Sequence, residues 1–199
     1  MAERLIDYKC SSLARRFRVL SNSIRNDATE WIQDCAQMLS ELYYCAQQVK
    51  CVEYDNSDEF LDYWIWLGLP IKKEEVFKGK CILDDWVVLG QISEKEETLR
   101  VLKTFFYGKT SKKIGVLYEY MVAFQETSFK WTLGKHYSCS MYFYPGKMNF
   151  RIINDNVSAE KYDRWPENSS IDLKDAKAYI MQQMLDFPLT SFIPLILKA

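Results

Sequence analysis

The hydrophobic period of this sequence changes once along the chain, and that change restricts the folds that the chain can adopt. Up to about residue 70, apolar residues recur every three or four positions, which is typical of amphipathic helices. From about Cys81 onward they alternate with polar residues, which is typical of strands that bury one face. The sequence therefore predicts an α+β protein, with a helical region at 1–75 and a β-rich region at 76–199 that ends in a helix. The two regions are expected to form one compact unit.

Three helices are predicted in the helical region. The first carries an apolar stripe from Ile6 to Leu20. The second begins at the capping-box sequence 27–30 and should pack on the first as a helical hairpin. Its buried stripe is expected to comprise Trp31, Cys35, Met38, Leu42, Cys45 and Val49. The third helix is short, begins near Ser57 and ends at Gly68.

Five strands and a last helix are predicted in the β-rich region. The strands lie at roughly 83–92, 99–107, 114–123, 136–144 and 149–153. Short polar turns separate several of them, which favours an antiparallel five-stranded sheet or a partly closed barrel. The last helix is predicted from near Ser170 to Pro188. Its buried stripe is expected to comprise Leu173, Ala176, Ile180 and Met184.

The charge balance and the cysteines restrict the compartment and the partners. The 26 basic and 27 acidic residues nearly cancel, so no overall charge attracts nucleic acid or an anionic membrane. No apolar stretch reaches the roughly 20 residues that a membrane helix needs. The cysteines are irregularly spaced, which predicts reduced thiols in a cytoplasmic protein: Cys10, Cys35, Cys45, Cys51, Cys81 and Cys139.

Catalytic and metal-binding patterns are weak in this sequence. His136, the only histidine, precedes Cys139 by three positions, but residues three apart on a strand face opposite sides, and zinc needs further ligands. The adjacent acids Asp84 and Asp85 are expected to be solvated at a strand end rather than to act as an acid–base pair. No glycine-rich phosphate loop or nucleophile motif occurs. The sequence therefore predicts a protein without catalytic residues, metal or cofactor, and an enzyme of unrecorded type is the least favoured alternative.

One set of basic and aromatic residues is a candidate binding face. It combines alternate residues of the second strand, lysines of the following turn and tyrosines of the fourth strand: Lys103, Phe105, Tyr107, Lys109, Lys112, Lys113, Tyr142 and Tyr144. Aromatic sheet faces edged with lysine often bind single-stranded nucleic acid. The simpler interpretation is that the aromatic rings pack on a helix and the lysines keep the turn soluble, and the neutral net charge favours it.

Four sets of residues, in order along the chain, form a recognisable pattern: Met1–Asp7 with Leu13–Arg18, Asp85–Gln91, the hairpin sequence Tyr142–Pro145 with Arg151, and the closing Phe187-Pro188 and Ile193-Pro194. Together they resemble the region after the zinc finger in bacterial SWIM zinc-finger proteins. The finger itself needs C-x-C followed by C-x-H, and this sequence has neither pattern.

The resemblance therefore transfers no zinc ligand and no nucleic-acid contact to any residue here. It implies a non-catalytic protein-interaction or adaptor domain, working with a MoxR-type ATPase and a von Willebrand A-domain protein. The expected partner is thus another protein, and nucleic acid is the less favoured alternative.

Overall fold

The computed structural model describes residues 2–25, 31–51, 58–96, 99–122, 131–147, 150–161, 172–190 and 192–197. Its helices are α1 (Ala2–Asp7), α2 (Ser11–Arg25), α3 (Trp31–Cys51), α4 (Asp58–Leu67), α5 (Lys73–Val76) and α6 (Leu173–Asp186). Its strands are β1 (Cys81–Glu96), β2 (Leu99–Gly108), β3 (Ile114–Val122), β4 (His136–Phe143) and β5 (Arg151–Lys161). The α+β class, with helices first, five strands next and a helix last, is confirmed.

The contacts divide the chain into two compact units. One comprises 1–72 with 145–148, and the other comprises 73–144 with 149–199. The first contains α1 to α4, and the second contains the strands, α5 and α6. No helix among the described residues is both long and apolar enough to cross a membrane.

The first predicted helix is interrupted in the structure. Lys9 adopts a left-handed conformation with φ of 62°, and the amide of Cys10 returns to the carbonyl of Leu5, which ends α1. The amphipathic pattern restarts in α2, where Leu13 and Leu20 are buried. The sequence predicted one continuous helix because the spacing of apolar residues indicates only which side faces the core. The break between α1 and α2 depends on the backbone conformation of a single residue, Lys9.

Helices α2, α3 and α4 pack together in the first unit. Gly68, with φ of 95°, ends α4 so close to the start of α2 that a side chain there would overlap the backbone of Ser12. Arg16 of α2 then contacts both neighbours, through the Glu41 carboxylate at 2.6 Å and the Trp66 ring at 4.4 Å.

The predicted stripe of α3 is buried only in part. Met38 and Cys45 are buried, whereas Trp31, Cys35, Leu42 and Val49 are half-buried. The predicted capping box at 27–30 and the predicted start of α4 at Ser57 lie outside the described residues.

The five strands close into a barrel in the order β1-β2-β3-β5-β4, with β4 returning to β1. Four of the pairings are antiparallel, as predicted, but β3 and β5 pair in parallel through Val116–Leu117 and Arg151–Ile152. Tight turns predict neighbours in sequence and cannot show how a sheet closes, so this parallel seam was not predicted.

Aromatic and branched side chains fill the barrel. The buried core comprises Trp86, Val88, Phe106, Leu117, Trp131, Tyr137, Cys139, Met141 and Ile152. The Trp131 ring makes edge contacts with Phe106 at 4.8 Å and with Tyr137 at 4.9 Å between centroids. The Trp86 indole N–H donates to the Cys139 carbonyl at 3.1 Å, so the one polar atom of that ring is satisfied in the core.

Helix α6 is less buried than its sequence pattern predicts. Ala176 is buried and Ile180 is half-buried, but Leu173 and Met184, which were predicted to face the core, are exposed. The prediction was wrong because the spacing of apolar residues cannot show whether a helix has a neighbour on that side. The chain continues past α6 into the buried Phe187.

Candidate functional site

Three lysines of the candidate face, Lys109, Lys112 and Lys113, lie on a turn that a buried carboxylate holds in place. Asp84 is 7% exposed. Its carboxylate accepts the backbone N–H groups of Ser111 at 2.7 Å and Thr110 at 3.0 Å, and that of Asp85 at 2.8 Å. Gly108 begins the turn with no room for a side chain, since a Cβ atom there would lie 2.7 Å from an Asp84 oxygen. The turn from Gly108 to Lys113 therefore has a fixed backbone.

The electrostatics of Asp84 follow from these contacts. Burial by itself raises the pKa of Asp84, but the N–H groups of Ser111, Thr110 and Asp85 outweigh it and hold the pKa below its ordinary value. The prediction that Asp84 is a solvated acid was therefore wrong. The alternation contained the missed signal, because Asp84 precedes the core residue Trp86 by two positions and so falls on the same inward face.

Two of the three turn lysines, Lys112 and Lys113, place their ammonium groups over nearby aromatic rings. Lys112, in a left-handed conformation with φ of 58°, places its Nζ atom 6.0 Å from the Tyr107 ring centroid. Lys113 places its Nζ atom 5.3 Å from the Phe143 ring. Both side chains are exposed, while Lys109 is half-buried and its amide donates to the Asp85 carbonyl. The lysines of this turn thus form a local basic patch on a fixed backbone.

The β2 residues of the candidate face are engaged in contacts within the protein. Lys103 pairs with the Glu94 carboxylate at 2.6 Å, and Tyr107 is buried. The ring of Phe105 is contacted edge-on by Phe192 from the C-terminal segment, at 6.3 Å between centroids. Phe192 also contacts Phe150 at 5.9 Å. The outer face of β2 is therefore covered in part by the chain's own C-terminal segment.

Tyr142 of β4 and Tyr144, which directly follows β4, are not strand partners of Tyr107. Tyr142 pairs across the sheet with Cys81, at the start of β1, whereas Tyr107 pairs with Val87 six residues later. A hydrogen bond with the Cys81 thiol raises the pKa of the Tyr142 hydroxyl. Tyr144 is buried, with the Arg151 guanidinium 4.4 Å from its ring.

The eight predicted residues consequently do not form one continuous exposed surface. Stacking of nucleic-acid bases requires exposed rings, and Tyr107 and Tyr144 do not offer one.

Sequence reasoning missed Arg151 as a member of this surface. The Arg151 guanidinium lies 5.5 Å from the Tyr118 ring centroid and 4.4 Å from the Tyr144 ring centroid. The Nζ atom of Lys103 lies 5.7 Å from the Tyr118 ring centroid. Tyr118 pairs with Lys103 across β2 and β3. The closure of β5 onto β3 brings Arg151 there, and no local pattern in the sequence indicates that closure.

No metal-binding group emerges from the described part of the chain. Cys139 belongs to the barrel core, and His136, three positions earlier on β4, is buried on the opposite face of the strand, so the two side chains of the H-x-x-C sequence point apart. No set of three His, Cys, Asp or Glu side chains within the described ranges could hold an ion.

A second candidate surface lies on α6. Leu173 and Leu185 are each 74% exposed, Met181 is 54% exposed and Met184 is 52% exposed. At 100° per residue these side chains fall within about 120° of one another, and Lys174 and Lys177 fall between them. We call these six residues the α6 face. Asp175 and Asp186 fall on the other side of the helix, so the α6 face is apolar and cationic without acidic side chains.

Comparison with known proteins gives no relative. No family model matches the sequence, and neither the curated proteins nor the solved structures contain a significant match.

Proposed function

We propose that this protein is a non-catalytic adaptor that binds an acidic, amphipathic segment of a protein partner on the α6 face. The observation that carries the proposal is the exposure of two leucines and two methionines on one side of α6. Contiguous apolar patches on a protein surface mark interaction sites more often than chance exposure does.

The composition of the α6 face favours a protein partner. Methionine side chains are flexible and polarisable, and they adapt to partner surfaces of different shape. Lys174 and Lys177 supply positive charge between the apolar side chains, so a partner with acidic residues beside its apolar ones is complementary. Helices that bind membrane surfaces usually carry more basic residues together with tryptophan or phenylalanine, which this face lacks.

A direct test uses a labelled amphipathic peptide that carries leucines at helical spacing and glutamates elsewhere, with a lysine-for-glutamate peptide as its matched control. Fluorescence anisotropy at about 150 mM salt should show that the protein binds the acidic peptide and does not bind the lysine peptide. The double variant Met181→Ser/Leu185→Ser should weaken binding by at least about tenfold, as loss of buried anchors does. Gln182→Ala, on the other side of α6, should leave it unchanged.

Two results would contradict the proposal. Equal binding of the lysine peptide would show that Lys174 and Lys177 do not select an acidic partner. Binding to anionic phosphatidylserine vesicles without binding to the peptide would move the function to a membrane surface.

A purified MoxR-type ATPase is the first full-length partner to test, since the SWIM resemblance implies it. If the acidic peptide binds but the MoxR-type ATPase does not, this partner is rejected and the proposal of an adaptor stands.

Single-stranded nucleic acid is the second candidate ligand, because the turn lysines form a fixed basic patch. About three phosphate contacts give weak, salt-dependent affinity, so we expect no binding of a labelled oligonucleotide at about 150 mM salt. Micromolar binding that survives this salt, and that is lost in the variant Lys109→Glu/Lys112→Glu/Lys113→Glu, would replace the adaptor proposal.

A further inference from the structure

Helix α3 carries a second apolar stripe on the side that faces away from its neighbours. The stripe comprises Ile32, Ala36, Leu39, Tyr43 and Ala46, all of them exposed. Ile32 is 62% exposed, Leu39 57% and Tyr43 69%. We call these five residues the α3 stripe.

The spacing of the α3 stripe is that of a helix-pairing seam. Its members follow one another at four, three, four and three residues, which is the a/d pattern of coiled coils. A single exposed leucine on a helix is ordinary, but five positions of one heptad pattern over about four turns define a continuous seam. The seam predicts a second helix packed along α3 at a small crossing angle.

The charge around the α3 stripe selects the kind of partner. The acidic residues within this span of α3, Asp34 and Glu41, lie on the opposite side of the helix, and Glu41 pairs there with Arg16. The polar residues beside the stripe are uncharged: Gln33, Ser40 and Gln47. Beyond Ala46 the next position of the same pattern is the exposed Lys50, which is charged. Seams for a different protein commonly carry flanking charges that select the partner. Between 32 and 47 the seam is uncharged and can meet its own copy without repulsion between like charges. In an antiparallel pair the two copies of Lys50 lie at opposite ends of the contact and do not meet.

The sizes of the side chains are also self-complementary in one orientation. In an antiparallel pair with a two-fold axis at Leu39, Ile32 would oppose Ala46 of the second copy. Ala36 would lie within about one residue, or about 1.5 Å along the axis, of the level of Tyr43 of the second copy. Each large side chain then meets a small one, and Leu39 meets itself on the axis. A parallel pair would place tyrosine on tyrosine and would align the two helix dipoles unfavourably.

We propose that this protein forms a homodimer through the α3 stripe, with antiparallel α3 helices related by a two-fold axis near Leu39. The contact is isologous, so it closes at two copies and presents two α6 faces per dimer. The proposal depends on α3 alone and does not depend on whether α6 binds a partner.

Sedimentation velocity of the full chain over micromolar concentrations tests this proposal. The wild type should sediment as a species of twice the chain mass. Leu39→Glu places two carboxylates at the axis and should weaken dimerisation by at least about a hundredfold. Val19→Glu, which makes the same kind of change at an exposed residue of α2, should leave the dimer intact. Far-ultraviolet circular dichroism confirms that each variant is folded.

A mixing experiment tests the position of the axis. Leu39→Glu and Leu39→Lys should each be monomeric alone and should form a heterodimer when mixed, because the two charges would face each other. A monomeric wild type would overturn the proposal, as would a dimer that persists in Leu39→Glu or is lost equally in Val19→Glu. Failure of the mixed variants to associate would exclude an axis at Leu39.

Discussion

Replacing Asp84 with asparagine should destabilise the barrel, because one carboxylate satisfies three backbone N–H groups around the lysine turn. Those donors belong to Asp85, Thr110 and Ser111, at 2.7–3.0 Å from the carboxylate oxygens. The asparagine amide keeps one acceptor oxygen and turns an NH₂ donor toward at least one of these donors. One charge-assisted hydrogen bond is then lost and a buried donor is left unsatisfied, at a cost of about 2–4 kcal/mol.

The effect should also depend on pH, with a sign set by the lowered pKa of Asp84. A carboxyl whose folded-state pKa lies below its unfolded value stabilises the protein above the unfolded pKa of about 3.9. That stabilisation declines as the pH falls below this value and is gone once the pH passes the folded-state pKa. The difference in unfolding free energy between wild type and Asp84→Asn should therefore be full at neutral pH and smaller near pH 3.

The assay is urea unfolding followed by the amide NMR signals of Val88 and Phe106, which report the barrel and not the helical unit. Asp155→Asn, an exposed carboxyl on β5, is the matched control and should change the midpoint little. The amide of Ser111 should also exchange faster with deuterium in Asp84→Asn. Equal urea midpoints for wild type and Asp84→Asn, or a difference that does not vary with pH, would refute the role assigned to this carboxylate.

Three further predictions concern backbone geometry, core packing and thiol reactivity. Gly68→Ala should destabilise the helical unit by about 2–4 kcal/mol in urea unfolding, because a left-handed residue there has no room for a Cβ atom; an unchanged midpoint would contradict this. Trp86→Phe should cost about 2–4 kcal/mol through the lost hydrogen bond to Cys139 and the cavity that remains, and a cost below about 1 kcal/mol would disagree with that packing. Burial raises the pKa of Cys45 to about 11, and burial together with the charge of Asp85 raises the pKa of Cys139 to about 12. Both thiols should therefore resist Ellman's reagent at pH 8 until the protein unfolds, whereas the exposed Cys81 should react. Rapid labelling of either buried thiol in the native protein would argue against its burial.

The sequence by itself determined the type and order of the elements. The change of period near Cys81 separated helices from strands, because side chains face the core every 3.6 residues in a helix and every two in a strand. Predicted strands such as 99–107 and 114–123 match β2 and β3 within one residue at each end. The ends of these strands are set by polar turns, which are encoded locally, so no tertiary information was needed to predict them.

Tertiary structure decided which of the patterned faces are covered. Helices α3 and α6 carry apolar residues on more than one side, and spacing alone cannot show that Leu39 and Leu185 are exposed. In the same way, only closure of the barrel places Arg151 over Tyr144. The environment of Asp84 depends on both the sequence and the tertiary structure. Alternation places Asp84 on the inward face, but its carboxylate accepts hydrogen bonds from a turn more than twenty residues away. Whether an inward polar group is satisfied depends on donors brought from elsewhere in the chain, and only the folded structure supplies them.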